Sequence, residues 1–598
     1  MSRATREQVP VDKTWNLQDL FASEEAWEKS LQEVQEQLPS VTKYKGTLHK
    51  GAQDLLACLE AEEALTVRLM QVYAYASLHL SADSTNTLNQ ERAARVGDLV
   101  SKINASLSFI RSEILELPEG RIEQYLEEEA GLAPYRKKLF DLLDTKPYRL
   151  SPETESALAA LGEVFAAPYT IYNRGKLSDM GFEPVEDGHG QTRPVSFALY
   201  ESDYEMSADT KLRRSAYESF TKTLQAYENT FAAAYATEVK KQTVLSRLRG
   251  YASVTDMLLQ PQQVTREMYD NILDIIGTEL APHMRRFAKL KARVLGLEKL
   301  SFSDLKVPLD PSFSPPVTIE EAGRQILSAL HVMGEEYTDI MKRALENRWI
   351  DYVDNVGKST GAFCNSTYGT HSFILITWAD NMRSAFTLAH ELGHAGHFML
   401  AGKYQRLSTY RPSLYFIEAP STLNELLLAQ HITDQSDDPR LKRWVILQLM
   451  NTYYHNFVTH LLEGRLQRLV YEAADKDIPI TAKSLSEWKG KVLSDFWGDA
   501  VDLDPGASLT WMRQPHYYMG LYPYTYAAGL TASTAVASAI KREGEPAVKR
   551  WLEVLKAGGS MSPLELMKLG GVDMSQPEPI RGAVAHVGRL VDQLEQMF

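Results

Sequence analysis

Asp380-Asn-Met-Arg-Ser-Ala-Phe-Thr-Leu-Ala-His390-Glu391-Leu-Gly-His394-Ala-Gly-His397-Phe-Met-Leu-Ala-Gly402 reads as one helix. Asp380 or Asn381 suits its cap, and Phe386, Leu388, Ala389, Leu392, Phe398, Met399 and Leu400 give it an apolar body. Inside it stands His-Glu-x-x-His. His390 and His394 are four residues apart, so both rings leave one face, a turn apart. Two imidazoles so placed can share a zinc ion at about 2.0–2.1 Å. Glu391 is offset on the same helix, where it reaches water at such a metal rather than the metal itself. Burying three histidines and a glutamate in an apolar stretch is costly without such a partner. Gly393 and Gly396, poor helix formers, make sense if another helix must come close.

A catalytic zinc takes three protein ligands and keeps one position open. The third should come from a downstream segment that packs on the helix. The best candidate is Glu418, in Tyr415-Phe-Ile-Glu418-Ala-Pro420-Ser421-Thr-Leu-Asn-Glu425-Leu-Leu-Leu. Pro420 and Ser421 open a second apolar helix, with Pro420 in its first turn. Glu425 is two turns further along and suits a bond to a ligand histidine, or else it is an ordinary solvated glutamate. His397 stands where metzincins need glycine, and Leu400 where they need a third histidine, so that class is excluded. His397 is expected to be a structural neighbour.

His390-Glu-Leu-Gly-His-Ala-Gly-His397 followed by Phe416-Ile-Glu-Ala-Pro-Ser-Thr-Leu-Asn-Glu425 resembles the M3 family of zinc metallopeptidases, the thimet oligopeptidase and neurolysin relatives, and within it the bacterial oligoendopeptidase F group. Tyr148-Arg-Leu-Ser-Pro-Glu-Thr-Glu155, Arg249-Gly250-Tyr251 and the His516–Tyr526 stretch are similar to further family segments. The resemblance is strong from about 340 to 530 and loose elsewhere. It implies a mainly α fold: two helical lobes that enclose a deep substrate channel and exclude folded proteins.

Composition agrees with an enzyme of that kind. A formal charge of −14 without a dense basic patch argues against a nucleic-acid partner. Two cysteines, Cys58 and Cys364, make no disulfide framework, so a reducing compartment is expected. The first residues hold no apolar signal core, and no 18-residue apolar run occurs. A cytoplasmic enzyme with no membrane partner is the expectation.

Along the chain, Trp15 to about Phe182 is helical in pattern, and Ser23 and Ser151 look like helix starts. The turn-rich Glu183–Pro194 reads as a loop or short hairpin. A domain boundary there gives residues 1–185 as an N-terminal helical lobe and 186–598 as the catalytic domain. Helices are expected over 209–249, 265–297 and 318–347. Trp349–Val353 and His371–Trp378 are strand-like and predict a small sheet beside the zinc helix, whose edge either binds an extended peptide or only supports the helix. Pro439–Ala474 reads as one long helix in which His455 and His460 are core and surface residues. His516-Tyr-Tyr-Met-Gly-Leu-Tyr522-Pro-Tyr524-Thr-Tyr526 sets one imidazole among five phenols, which suits oxyanion stabilisation or peptide binding better than packing alone.

The expected protein is a zinc endopeptidase that cuts short peptides internally. Zinc (Zn2+, one per chain) rests on His390, His394 and Glu418, and Glu391 is the general base. His516 with one or more of Tyr522, Tyr524 and Tyr526 stabilises the oxyanion. Two alternatives stay open: a peptidase that trims carboxy-terminal dipeptides with the same chemistry, and a non-catalytic helical protein that binds peptides.

Overall fold

Helix starts in this chain are set by side chains that accept orphan backbone N–H groups. Ser23 accepts from the Ala26 amide, Asp209 from Lys211 and Leu212, and Asn381 from Ser384. The 40-residue helix Thr210–Arg249 ends at Gly250, whose φ of 77° is the left-handed conformation that suits glycine. The computed structural model describes residues 3–598, and the chain is mainly helical.

Apolar faces of these helices gather into two principal cores. The first runs from Trp27 to Leu139 and lies largely among Glu24–Thr42, Ala52–Ala82 and Thr87–Glu116. The second begins at Tyr172 and reaches Leu594, taking in every element around the candidate site. A smaller cluster joins them: Trp15, Ala74, Leu78 and Ala82 pack on Phe373 and Leu375 of the small sheet. The joint is also polar. Arg249 holds Glu155 at 2.7 and 2.9 Å, and the Tyr148 and Tyr251 rings stack 3.7 Å apart. Two segments singled out in the sequence are thus one contact.

Glu183–Pro194 contains a two-stranded hairpin, Val185–Glu186 on Thr192–Arg193. The sheet before the histidine helix has three strands. Ser372–Leu375 lies in the centre, parallel to Ile350–Asp351 and antiparallel to Phe363–Ser366. The Ile374 and Ile376 amides bond towards Ile350–Asp351. The Phe373 and Leu375 backbones therefore face Phe363–Ser366, and the outer edge is left with the backbone groups of Cys364 and Ser366.

Three long helical expectations are revised. Residues 318–347 form two helices, Ile319–Leu330 and Glu335–Glu346, parted at Gly334 with φ 84°. Residues 265–297 contain a π turn, Ile276–Leu280, between Arg266–Ile275 and Ala281–Val294. The helix from Pro439 is interrupted by a second π turn, Tyr454–Thr459, before it resumes at His460.

Candidate active site

The histidine helix is Met382–Tyr404, and the helix Ala419–Gln435 lies across it with Pro420 in its first turn. The approach is backbone on backbone. A Cβ built on Gly393 would stand 2.6 Å from the Pro420 carbonyl oxygen and 2.6 Å from the Ser421 Cα. Gly396 makes similar room for the Tyr337 ring, whose hydroxyl donates to Asn424 at 3.0 Å. Gly529, on the third helix Pro523–Glu543, clears the other side: its Cβ would meet the Glu418 Cβ at 2.9 Å. Glycines on two helices therefore seat Glu418.

The seating brings His390, His394 and Glu418 together, with one ligand atom from each within 4.8 Å of the others. Glu418 Oε2 is 3.3 Å from His390 Nε2 and 3.4 Å from His394 Nε2. Two donors at about 2.1 Å from a tetrahedral centre stand about 3.4 Å apart, so the three atoms fit a zinc-sized ion. Behind His390, its Nδ1 is 2.7 Å from Glu425 Oε1, and Glu425 Oε2 accepts from the Thr452 hydroxyl at 3.0 Å. The bond to Glu425 leaves Nε2 of His390 free to face the ligand position. Burial opposes charge on His390, but Glu418 and Glu425 outweigh it and raise its pKa well above the usual value. Burial likewise opposes ionisation of Glu418, yet the two histidines hold its carboxyl well below the usual range.

Glu391 is buried beside them. Burial pushes its pKa up, and the neighbouring histidines temper the rise. An upward shift is the direction a general base needs near neutrality. The Phe363–Ser366 strand packs on the helix that carries Glu391.

His516 and the tyrosines divide into two groups. The His516 ring stacks on Tyr522 with centroids 4.9 Å apart and meets Tyr526 at 5.7 Å. Burial raises the pKa of Tyr522 and Tyr526, and the Glu418 charge raises both further, so these phenols keep their protons. Tyr524 does not join them. Two residues along a helix point to different sides, and Tyr524 is buried, donating to Gln262 at 2.6 Å and packing on Tyr269 and Tyr415. The geometry gives Tyr524 an internal structural bond rather than a place at the site.

His397 is fully buried, with neither ring nitrogen hydrogen-bonded, between Phe398 and Phe416; burial lowers its pKa to about 3. It sits behind the helix as a neutral packing group. His455 and His460, expected as core and surface residues, are exposed and buried respectively, and both lie beside the Tyr526 ring. His460 stacks on Tyr526 at 4.1 Å and lies 5.3 Å from His516. At a spacing of five they share no face of a regular helix, so periodicity carried no signal. His455 has an exposed surface yet protein packed deeply around it, and both hold for a side chain on the wall of an internal cleft.

A mainly helical chain that combines a buried His-Glu-x-x-His helix with a carboxylate from a crossing helix defines a metallopeptidase. The chain belongs to peptidase family M3: the "Peptidase family M3" sequence model matches residues 204–586 and the "Oligopeptidase F" model residues 113–182. It is 31% identical to Oligopeptidase PepF of Bacillus subtilis over 99% of this chain and 88% of the relative. Group B oligopeptidase PepB of Streptococcus agalactiae is 27% identical, covering 99% and 98% of the two chains. Among solved structures, oligoendopeptidase-F from Enterococcus faecium matches with a TM-score of 0.75 at 28% identity, over 96% of this chain and 99% of that one. The protein is therefore an oligopeptide-cleaving metalloendopeptidase. No helix among the described residues is long and apolar enough to cross a membrane.

Proposed function

We propose that the chain is a zinc endopeptidase acting on internal bonds of short peptides, with His390, His394 and Glu418 as the zinc ligands. The observation that carries this is the spacing of 3.3 and 3.4 Å between the Glu418 oxygen and the two imidazole nitrogens. A zinc ion bound there supplies Lewis acidity, polarising the scissile carbonyl and lowering the pKa of water to about 7. Glu391 takes the proton of the attacking water and passes it to the leaving amine. The protonated hydroxyls of Tyr522 and Tyr526 donate to the oxyanion that develops on the carbonyl. The Phe363–Ser366 edge holds the substrate in extended form by backbone bonds, which fix the scissile peptide without reading its side chains. The two lobes bound a channel that admits oligopeptides and keeps out folded proteins, and the cytoplasm is the compartment that suits two unpaired cysteines.

The test pairs metal analysis with digestion of a mixed peptide library before and after chelation. One zinc per chain and internal cuts that cease on chelation and return with zinc are expected. Release of carboxy-terminal dipeptides alone would favour the trimming alternative, and an unchanged library would leave a peptide-binding protein. Native globular proteins should survive the same treatment, and their rapid cleavage would contradict the enclosed channel.

A further inference from the structure

We propose that Gln514, His460 and His455 form a directed hydrogen-bond chain that fixes His516 as its Nδ1–H tautomer, so that His516 turns an acceptor towards the peptide while Tyr522 and Tyr526 supply the donors. The inference rests on the reading of the site given above and assigns positioning roles to three residues outside it.

The directions follow from the atoms. His516 Nδ1 is 2.6 Å from Gln514 Oε1, and an amide oxygen only accepts, so His516 carries its proton on Nδ1. Gln514 Nε2 is 3.3 Å from His460 Nδ1, and an amide nitrogen only donates, so His460 Nδ1 is bare and its proton sits on Nε2. His460 Nε2 is 3.2 Å from His455 Nε2, which must then accept, leaving the His455 proton on Nδ1. A single amide orientation thus sets three imidazoles. Reversing it would reverse every bond and give His516 a donor at Nε2.

The backbone is built to make this pairing. Residues five apart in an α-helix point about 140° apart. The π turn Tyr454–Thr459 widens the helix between His455 and His460, and their rings meet with centroids 4.5 Å apart. Such turns are frequent at functional sites. His460 and Gln514 are both buried, so an unmade bond there is costly. The Gln514 backbone is anchored in turn. Arg513 bonds to Glu201 at 2.9 Å and Glu205 at 3.1 Å, and Lys306 bonds to Glu205 at 2.5 Å. Burial first, then the charge of Lys176 on His516, of Lys306 on His455, and of the neighbouring histidines on His460, disfavours imidazolium along the chain. Neutral rings carry one N–H each, so each donates at one nitrogen and accepts at the other. His460 also stacks flat on Tyr526, so the chain that sets the His516 tautomer also fixes the orientation of one phenol.

The experiment is side-chain NMR of the full-length protein with 15N,13C-labelled histidine and no substrate. His455, His460 and His516 are assigned from the signal lost in each His→Gln variant, or from through-space contacts to Tyr522 and Tyr526 where a variant fails to fold. Nδ1–H signatures for His516 and His455 with Nε2–H for His460 are expected; Nε2–H at His516, or averaged tautomers at all three, overturn the proposal. Kinetics supply the second arm. His460→Leu should lower kcat/KM about tenfold with metal content unchanged, the scale of loss for a supporting residue. His460→Gln, which keeps a donor and an acceptor, should recover part of it. Wild-type activity in His460→Leu refutes the positioning role. A protein that cuts no peptide at all would defeat the zinc endopeptidase reading, while the tautomers are measured independently of turnover.

Discussion

Gly393 lies directly against the Pro420 peptide, so closely that an alanine methyl would stand 2.6 Å from the Pro420 carbonyl oxygen. Backbone cannot yield as a flexible side chain does, so Gly393→Ala must push the Ala419–Gln435 helix away and carry Glu418 with it. Zinc affinity should fall by tenfold or more even though alanine is the better helix former by about 1 kcal/mol. Equilibrium dialysis against a chelator reads this directly. An unchanged affinity would show that the helix crossing does not set the ligand geometry.

Glu391→Gln keeps the shape of the side chain and removes its basicity. Turnover should fall by roughly 10²–10⁴-fold, the range for loss of a general base, with zinc content and peptide affinity preserved. Near-normal turnover in a zinc-replete variant would rule Glu391 out as the base.

Glu418 and Glu425 should separate by metal retention. Glu418→Ala deletes a proposed ligand and should strip the ion. Glu425→Ala deletes only the 2.7 Å bond behind His390, which typically weakens binding about 10–100-fold. The reverse ranking would exchange the two assignments.

The tyrosines offer a contrast within one helix. Tyr522→Phe or Tyr526→Phe removes a hydroxyl proposed to act in the transition state, so kcat should fall about 10²–10³-fold with little change in KM. Tyr524→Phe removes the 2.6 Å bond to Gln262 and should lower stability by about 1 kcal/mol while kcat stays near normal. Equal kinetics in all three variants would mean that the rings serve packing alone.

Acid stability should register His79, half-buried on the Ala52–Ala82 helix and far in sequence from the proposed ligands. Burial, then the charges of Arg92 and Arg6, lowers its pKa from 6.5 to about 4, and its Nε2 has no hydrogen-bond partner. Between those values the unfolded chain binds the proton and the folded chain does not. The stability that depends on neutral His79 is therefore complete above pH 6.5 and drains away as pH falls towards 4, by an amount on the order of 2–3 kcal/mol. His79→Leu should flatten the dependence of Tm on pH across that window; an equally steep dependence in the variant would remove His79 from the account.

Much of this molecule was legible in its sequence because local rules governed the parts that matter. The four-residue spacing of His390 and His394 and the Pro420 helix start are short-range signals. The need for Gly393 and Gly396 to clear a crossing helix could be read from their poor fit to an otherwise apolar helix. The fates of Tyr522, Tyr524 and Tyr526 were not legible, since that depends on where the Pro523–Glu543 helix begins and which side of it faces Glu418. His455 and His460 were hidden for a different reason. Their partnership needs a π turn, a backbone choice made by surrounding packing that no residue period announces.

The proposed metal ligands come from two helices separated by a short stretch of chain, with Glu418 lying 24 residues beyond His394 (418 − 394). An ion held by both helices is a covalent-like tie across that stretch, and it shortens the loop available to the unfolding chain. Cations that bind only the folded arrangement also pull the folding equilibrium by mass action. A zinc ion bound there would be catalytic metal and structural rivet in one: removing it should leave the Gln405–Ile417 connection as the first segment around the larger core to exchange its amide hydrogens, well before either core loosens.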